Sequence, residues 1–270
     1  MRYNIGYFIL SHGRPDKVLT YDVVRDLLPK EHLYIVIDDQ DKTGDEYRSN
    51  YDNVITFCKA DRLKLVDTCD TNKNPKNALC VRSFIIDEAI RLGYDYAFML
   101  DDDITNFKYR YVNEAGTFKS DKITNLVDII DELAEFAECS SSINLLSFSH
   151  SSFYAGGKDG MYSRGLDIVF SQAMLFKLSS FKSAYFRGLE EDFNITITDI
   201  EHLHYNVTSL CVESPAMNSE SSVISSIAKG NRAMYSYIIY PPCVDVLANG
   251  KRRLHRENFI PKLVGGGYKK

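Results

Sequence analysis

Residues 78–100 most strongly limit what this chain can fold into, because they place an amphipathic helix directly before an apolar strand. Apolar residues recur every three or four positions over 78–92, and Gly93 follows as a helix C-terminal residue. Residues 94–100 are largely apolar and lead straight into Asp101, Asp102 and Asp103. A helix followed by a buried strand is typical of α/β proteins, whose ligands bind at the carboxyl ends of the strands.

The segments around this unit continue the alternation of strands and helices. Residues 4–10 and 33–37 suit buried strands, and a helical pattern over 17–28 lies between them. We therefore expect an α/β fold with a mostly parallel, Rossmann-like central sheet flanked by helices, and a C-terminal extension. The same patterns predict further strands at 54–58, 143–148 and 167–176, helices at 121–139 and from Glu190 to His204, and loops at 40–53 and 104–120.

Composition agrees with a soluble globular protein. The chain has 270 residues, 44% hydrophobic and 26% charged, which excludes a disordered, collagen-like or coiled-coil chain. Its apolar stretches fall short of the roughly 18 residues that a membrane-spanning helix needs, and its N-terminal apolar run is too short for a signal peptide. Its six cysteines form no C-x-x-C pair, so we expect reduced core cysteines and a cytoplasmic protein.

The formal net charge of −5 is unevenly distributed. Residues 251–270 carry seven Lys and Arg residues, among them Arg252 and Arg253, against one glutamate. Such a segment can bind the phosphates of a nucleotide or of nucleic acid, and it can equally be a solvated tail.

Three adjacent carboxylates at the end of an apolar strand repel one another, and a divalent cation resolves this conflict. Strand alternation would send Asp101 and Asp103 to one side, where they could bind a metal ion, while Asp102 points to a helix terminus or to sugar hydroxyls. Oxygen ligands favour Mg²⁺ or Mn²⁺ over zinc. An acidic surface loop is the alternative explanation.

The run over 96–103, with the helix and the two strand–loop units before it, resembles the D-x-D region of GT-A-fold glycosyltransferases that use nucleotide sugars. The resemblance extends over residues 4 to about 200 and implies a nucleoside diphosphate sugar, with a UDP-sugar favoured, as the donor. Further matches are the loop from Ser11 through Arg14 to Pro15, an acidic contact at Asp38 or Asp39, the pair Asn77 and Arg82, and an x-E-D segment at 189–193.

Glycosyl transfer itself requires some of these groups. The departing diphosphate needs a metal ion and cationic side chains such as Arg252 and Arg253, and the acceptor hydroxyl needs a base. We favour Asp192 as this base, followed by Glu191, which predicts inversion at the anomeric carbon; both acids could instead simply stabilise a helix N-terminus. Many enzymes of this fold add a late histidine as a metal ligand, and His255 is the candidate here.

A narrower resemblance concerns the acceptor. Residues 7–15 and 167–177 look like those of phage-type glycosyltransferases that modify hydroxymethylated DNA bases, the group associated with TET/JBP dioxygenases. This resemblance implies the cytoplasm of a host cell and a 5-hydroxymethylpyrimidine acceptor in duplex DNA, which the basic tail would hold by its phosphates.

Other functions compete with this one. Residues 101–105 also match the D-x-D-x-T pattern of haloacid-dehalogenase-type phosphatases. A surface polysaccharide could replace DNA as the acceptor, and a GT-A-like module could bind without catalysing. We expect residues 1–210 to form the catalytic domain and 211–270 to form an extension packed on it.

Overall fold

The computed structural model describes residues 2–68, 78–150, 172–188, 191–199, 201–215, 234–241, 244–247 and 252–254. Their main feature is a nine-stranded mixed sheet with the strand order β3-β2-β1-β4-β8-β7-β9-β5-β6. None of the helices in these ranges has the length and apolar character that crossing a membrane would require.

The N-terminal strands form a parallel unit. They are β1 (Ile5–Leu10), β2 (Leu33–Asp38), β3 (Val54–Phe57) and β4 (Tyr96–Asp101). The helices between them are α1 (Leu19–Val24), α2 (Gly44–Asn50), α3 (Lys59–Leu63) and α4 (Leu79–Arg91). Because Leu10 is in register with Asp101, the carboxyl ends of β1 and β4 meet at one edge of the sheet.

The rest of the sheet is mostly antiparallel. It contains β5 (Asn106–Val112), β6 (Phe118–Lys122), β7 (Ile143–His150), β8 (Ala173–Lys177) and β9 (Leu203–Glu213). Its helices are α5 (Leu126–Glu138) and α6 (Glu191–Thr198), and β10 (Val244–Val246) pairs with β11 (Arg252–Leu254) in a separate two-stranded sheet. Strand β8 is antiparallel to both β4 and β7, and β9 is parallel to β7, so β4, β7 and β9 end at the same edge.

Two apolar layers cover the sheet. Side chains of α5 such as Leu126, Ile130 and Ala134 pack with Phe98 on one face. On the other face, Leu79, Ile85 and Ile86 of α4 pack with Ala97 and Met99 of β4. Each large apolar side chain buried in this way stabilises the fold by about 1.5–3 kcal/mol, which fixes β4 between the layers and thereby fixes where its terminal aspartates emerge.

The expected α/β fold is confirmed, and its sheet is parallel from β3 to β4 but mixed beyond. Three local predictions were wrong. Residues 104–120 contain β5 and the start of β6 instead of a loop, and the helix after Glu190 ends at Thr198, so that His204 lies in β9. Residues 40–53 also contain α2.

The boundary expected after residue 210 falls inside β9, which ends at Glu213. The division into a catalytic domain and an extension therefore stays a prediction. The four described cysteines are free; Cys80 and Cys211 are buried as expected, whereas Cys58 and Cys139 are exposed.

Candidate active site

The three aspartates after β4 have different surroundings. Asp101 is the last residue of the strand, and its Oδ1 accepts a hydrogen bond from Arg82 Nη2 at 2.9 Å. Asp102 accepts hydrogen bonds from Ser11 Oγ at 2.6 Å and from Arg14 Nη1 at 3.1 Å. Among the described residues, Asp103 Oδ1 is buried with no hydrogen-bond partner. The three carboxylates therefore differ in the hydrogen bonds that they already accept.

Thr20, at the start of α1, fixes the backbone of this turn. Its hydroxyl donates to the carbonyl of Asp101 and accepts the N–H of Ile104 at 2.9 Å, while its own N–H donates to the carbonyl of Asp102 at 3.2 Å. The buried Thr20 thus satisfies backbone groups that the end of the strand leaves unpaired.

Arg82 lies between two carboxylates, those of Asp101 and Glu191. Arg82 is 3% exposed, and its Nη1 lies 3.4 Å from Glu191 Oε1 at the start of α6. One guanidinium therefore joins the end of β4 to the N-terminus of α6 and fixes the distance between them. Asp192, the next residue of α6, is half-buried.

Burial shapes the ionisation of these carboxyls. It raises the pKa of Asp101 to about 6 although Arg82 opposes the shift, and it raises the pKa of Glu191 to about 7, again against Arg82. Burial also raises the pKa of Asp102, which hydrogen bonding by Ser11 and the charge of Arg14 partly offset. At these carboxyls the effect of burial therefore outweighs that of the two arginines, which favours the protonated forms.

A cavity of about 400 Å³ opens beside Asp102, between the ends of β1 and β2 and the first turn of α4, and is called the β1–β2 cavity below. Its polar lining comprises Ser11, His12, Arg14, Asp38, Lys59 and Asp102, and its apolar lining comprises Leu10, Phe57, Ala78, Cys80 and Val81. Neither Asp101 nor Arg82 lines this cavity. Its volume is within the range of small-molecule sites.

The structure separates Asp38 from Asp39. Asp38 lines the β1–β2 cavity, with Lys59 Nζ at 3.4 Å and His12 Nδ1 at 3.2 Å from its Oδ2. Asp39 is exposed, and its Oδ1 accepts the backbone N–H of Lys59 at 2.9 Å. Of these two aspartates, only Asp38 therefore lines the cavity.

Comparison with protein-family models places residues 5–209 in the family described as TET-Associated Glycosyltransferase. The chain belongs to this family. No curated protein matches its sequence.

Solved structures show the fold of this TET-associated glycosyltransferase. Glucosyl-3-phosphoglycerate synthase from Mycobacterium tuberculosis, in complex with Mg²⁺ and UDP, aligns with a TM-score of 0.51 at 10% identity, over 94% of this chain and 87% of that one. The same synthase with Mn²⁺, UDP-glucose and phosphoglyceric acid aligns with a TM-score of 0.49 at 10% identity, over 94% and 86% of the two chains. The similarity to the complex with Mg²⁺ and UDP supports the expected GT-A fold.

On the other side of β4 from the cavity, three polar residues meet at the same edge of the sheet. His150 ends β7, Gln172 precedes β8 and Ser214 follows β9. Ser214 Oγ lies 3.1 Å from His150 Nε2 and accepts a hydrogen bond from Gln172 Nε2 at 3.0 Å. These three residues are called the Gln172 cluster below.

The far end of α6 has its own polar anchor. Asp199 is fully buried, and its carboxylate lies 2.7 Å from His202 Nδ1 and 3.0 Å from His204 Nε2, and accepts from Asn144 Nδ2 at 2.6 Å. Both histidines therefore contact one carboxylate, where a continued helix would have placed them on different faces. With Glu191 bound to Arg82, α6 is held at both ends.

Several predicted site residues cannot be placed. Asn77 and His255 lie outside the described residues, and only the backbone of Arg252 and Arg253 is described, in β11. Their roles stay predictions.

Sequence reasoning missed three residues of this site. Tyr47 is buried, and its hydroxyl lies 2.8 Å from Ser11 Oγ and accepts the N–H of Arg14 at 2.9 Å. Lys59 lines the cavity, and Thr20 braces the aspartate turn. Of these three, only Thr20 could have been found from the sequence, because it is a polar residue in an otherwise apolar helical stripe. Tyr47 and Lys59 belong to segments whose pattern indicates nothing about a site.

Proposed function

We propose that this glycosyltransferase moves a sugar from a nucleoside diphosphate sugar, with UDP as the favoured nucleotide, to the hydroxyl of a 5-hydroxymethylpyrimidine in duplex DNA. The reaction uses Mg²⁺ or Mn²⁺ and inverts the anomeric carbon. The observation that carries the proposal is the β1–β2 cavity, which is lined by Asp102, the middle residue of the three aspartates at the end of β4.

The cavity suits a nucleoside diphosphate. Asp38 can accept hydrogen bonds from the base or ribose, Ser11 is a hydroxyl beside Asp102, and the half-exposed Arg14 supplies positive charge for the diphosphate. Residues Ala78, Cys80 and Val81 of the lining belong to the N-terminal end of α4, whose dipole favours an anion. The synthase of similar fold was solved with UDP and Mg²⁺, which supports this choice of ligand.

The charges beside the cavity fit a divalent cation. Asp103 Oδ1 is buried without a partner among the described residues, and the carboxylate of Asp101 belongs to the same turn at the end of β4. No group of three or more His, Cys, Asp or Glu side chains in the described ranges could hold a metal ion unaided. Mg²⁺ commonly binds one or two carboxylates together with substrate phosphates and water, so Asp101 and Asp103 suffice when a diphosphate is bound.

The protein residues have separate tasks in this reaction. A bound divalent ion would neutralise the charge that develops on the departing diphosphate. Asp101 and Asp103 would hold it, with Arg82 fixing the orientation of Asp101, and Asp102 fixes Ser11 and Arg14 at the cavity. Arg252, Arg253 and His255 are proposed to approach the diphosphate from the basic tail.

We assign the base to Asp192. Glu191 is buried against Arg82, so it anchors α6, while the adjacent Asp192 is less buried and close enough for its charge to raise the pKa of Glu191. A carboxylate that takes the proton of the acceptor hydroxyl during direct attack gives inversion. Asp101, the nucleophile of the phosphatase alternative, is instead ion-paired with Arg82 at 2.9 Å, which disfavours it as a nucleophile.

Mass spectrometry tests donor and acceptor together. Hydroxymethylated duplex DNA is incubated with a panel of nucleotide sugars and Mn²⁺, and we expect a mass gain of one sugar on the modified base. Asp192→Asn should abolish the gain, while Asp128→Asn, at an exposed position of α5, should preserve it. Sugar transfer by Asp192→Asn at the rate of the unmodified enzyme would remove Asp192 as the base, and no mass gain with any sugar would contradict the DNA acceptor.

A further inference from the structure

The Gln172 cluster lies where the acceptor should approach. The strand order β2-β1-β4-β8-β7-β9 places the β1–β2 cavity on one side of Asp101 and the ends of β8, β7 and β9 on the other. The carbonyl of Gln172 accepts the backbone N–H of Asp101 at 2.9 Å, so the cluster is joined directly to the aspartate turn. A sugar bound at that turn, with its diphosphate in the β1–β2 cavity, would have the cluster on its other side.

The hydrogen bonds of the cluster leave one acceptor unused. The amide nitrogen of Gln172 donates to Ser214 Oγ, which also contacts His150 Nε2. Whichever of Ser214 and His150 donates in their contact, the carbonyl oxygen of Gln172 takes no part. Within the described residues this Oε1 atom is buried and has no partner.

A buried carbonyl oxygen without a hydrogen bond is costly, and native proteins keep very few such atoms. While its nitrogen donates to Ser214 Oγ, the amide keeps its oxygen pointed away from the serine, so that this oxygen cannot also accept from Ser214. A ligand that brings a hydrogen-bond donor to the Gln172 oxygen would therefore remove this cost.

Resting on the proposed function, we infer that Gln172 is the residue that selects the acceptor. Its carbonyl oxygen accepts a hydrogen bond from an amino or hydroxyl group adjacent to the hydroxyl that receives the sugar, and Ser214 with His150 holds the amide in place. A cytosine-type base presents such an amino group on its major-groove edge, whereas a uracil-type base presents a carbonyl oxygen there, which would repel Gln172.

Gln172→Met tests this assignment, because methionine keeps the length of the side chain and removes the amide. Transfer is measured to duplexes carrying 5-hydroxymethylcytosine or 5-hydroxymethyluracil, together with the KM for the nucleotide sugar. We expect the unmodified enzyme to prefer the cytosine duplex in kcat/KM and Gln172→Met to reduce that preference about 10- to 100-fold at an unchanged donor KM. The exposed Gln40→Met is the matched control and should retain the preference.

Ser214→Ala supplies a second test in case Gln172→Met does not fold, since it only releases the amide; it should lower the same preference by a smaller factor. Equal use of both duplexes by the unmodified enzyme, or an unchanged preference in the folded variants, would overturn the role of Gln172 and leave the proposed function intact. Absence of transfer to any hydroxymethylated duplex would overturn both.

Discussion

Replacing Arg82 with leucine will leave two buried carboxylates without their shared cation. Arg82 is 3% exposed, and its guanidinium lies 2.9 Å from Asp101 and 3.4 Å from Glu191. Removing one partner of a buried ion pair typically costs about 3–5 kcal/mol, because the remaining charge has lost its compensation. We expect this loss in the free energy of unfolding, which corresponds to roughly 6–20 °C in Tm for a domain of this size.

The pH dependence of the loss gives a sharper test. Burial raises the pKa of Asp101 to about 6 and that of Glu191 to about 7, above their usual values, so the folded protein binds more protons than the unfolded chain between about pH 4 and 7. Stability from these groups therefore falls as pH rises through that window. Without Arg82 both pKa values rise further, so the deficit of Arg82→Leu should be larger at about pH 8 than at about pH 5.

Urea unfolding followed by circular dichroism measures both effects. Adding Asp101→Asn and Glu191→Gln to Arg82→Leu removes the unpaired charges, and the triple variant should recover most of the lost stability. Arg91→Leu, at an exposed position of the same helix, is the matched control and should change stability by less than about 0.5 kcal/mol. A loss under about 1 kcal/mol for Arg82→Leu, or a loss independent of pH, would refute the ion-pair account of this site.

Three further predictions concern the metal site, the anchor of α6 and the basic tail. Asp103→Asn should abolish turnover of the donor, measured as the release of UDP, with the Tm nearly unchanged. Excess chelator should likewise abolish turnover by the unmodified enzyme. Full turnover in chelator would exclude the metal ion. Burial opposes ionisation of Asp199, but hydrogen bonds from His204, His202 and Asn144 hold its pKa below the usual value. The contribution of Asp199 to stability is thus present above about pH 4 and is lost as pH falls through the lowered pKa. Asp199→Asn should therefore lower the free energy of unfolding by about 1–3 kcal/mol at neutral pH. Equal stability of this variant and the unmodified protein at neutral pH would contradict the role of Asp199. Changing Arg252 and Arg253 together to alanine should weaken DNA binding and reduce the salt dependence of the affinity by about two phosphate contacts, measured by fluorescence anisotropy over a salt series; an unchanged slope would exclude these arginines from the contact.

The parallel half of the sheet could be predicted because three of its strands, β1, β2 and β4, are buried on both faces. Continuous apolar runs at 4–10, 33–37 and 94–100 correspond to β1, β2 and β4, and the helical period over 78–92 corresponds to α4. The position of the aspartates at a strand end followed from the same patterns, and the residues around them also indicated the family.

The antiparallel half gave weaker signals. Strand β5 alternates Phe107, Tyr109 and Tyr111 with Lys108 and Arg110, a two-residue period that the interpretation as a loop overlooked. Strand β9 follows α6 so closely that the helical spacing of apolar residues runs on into it by coincidence, and tertiary pairing with β5 and β7 decides its conformation.

The partners within the site depend on contacts between distant segments. Nothing around Arg82 indicates that Glu191 will lie beside it, and nothing around Tyr47 indicates its contact with Ser11. Strand alternation also does not govern Asp103, because β4 ends at Asp101. Such pairings arise only when the sheet brings its strand ends together.

Calorimetric titration of UDP into the protein tests the central claim most directly, because it asks whether the cavity beside the aspartates binds a nucleoside diphosphate with a divalent ion. With Mn²⁺ present, we expect one UDP to bind per chain, and we expect the heat of binding to disappear in chelator and in the Asp102→Asn and Asp103→Asn variants. Binding that is unaffected by chelator and by both substitutions, or no binding of any nucleoside diphosphate with Mn²⁺ present, would contradict the account.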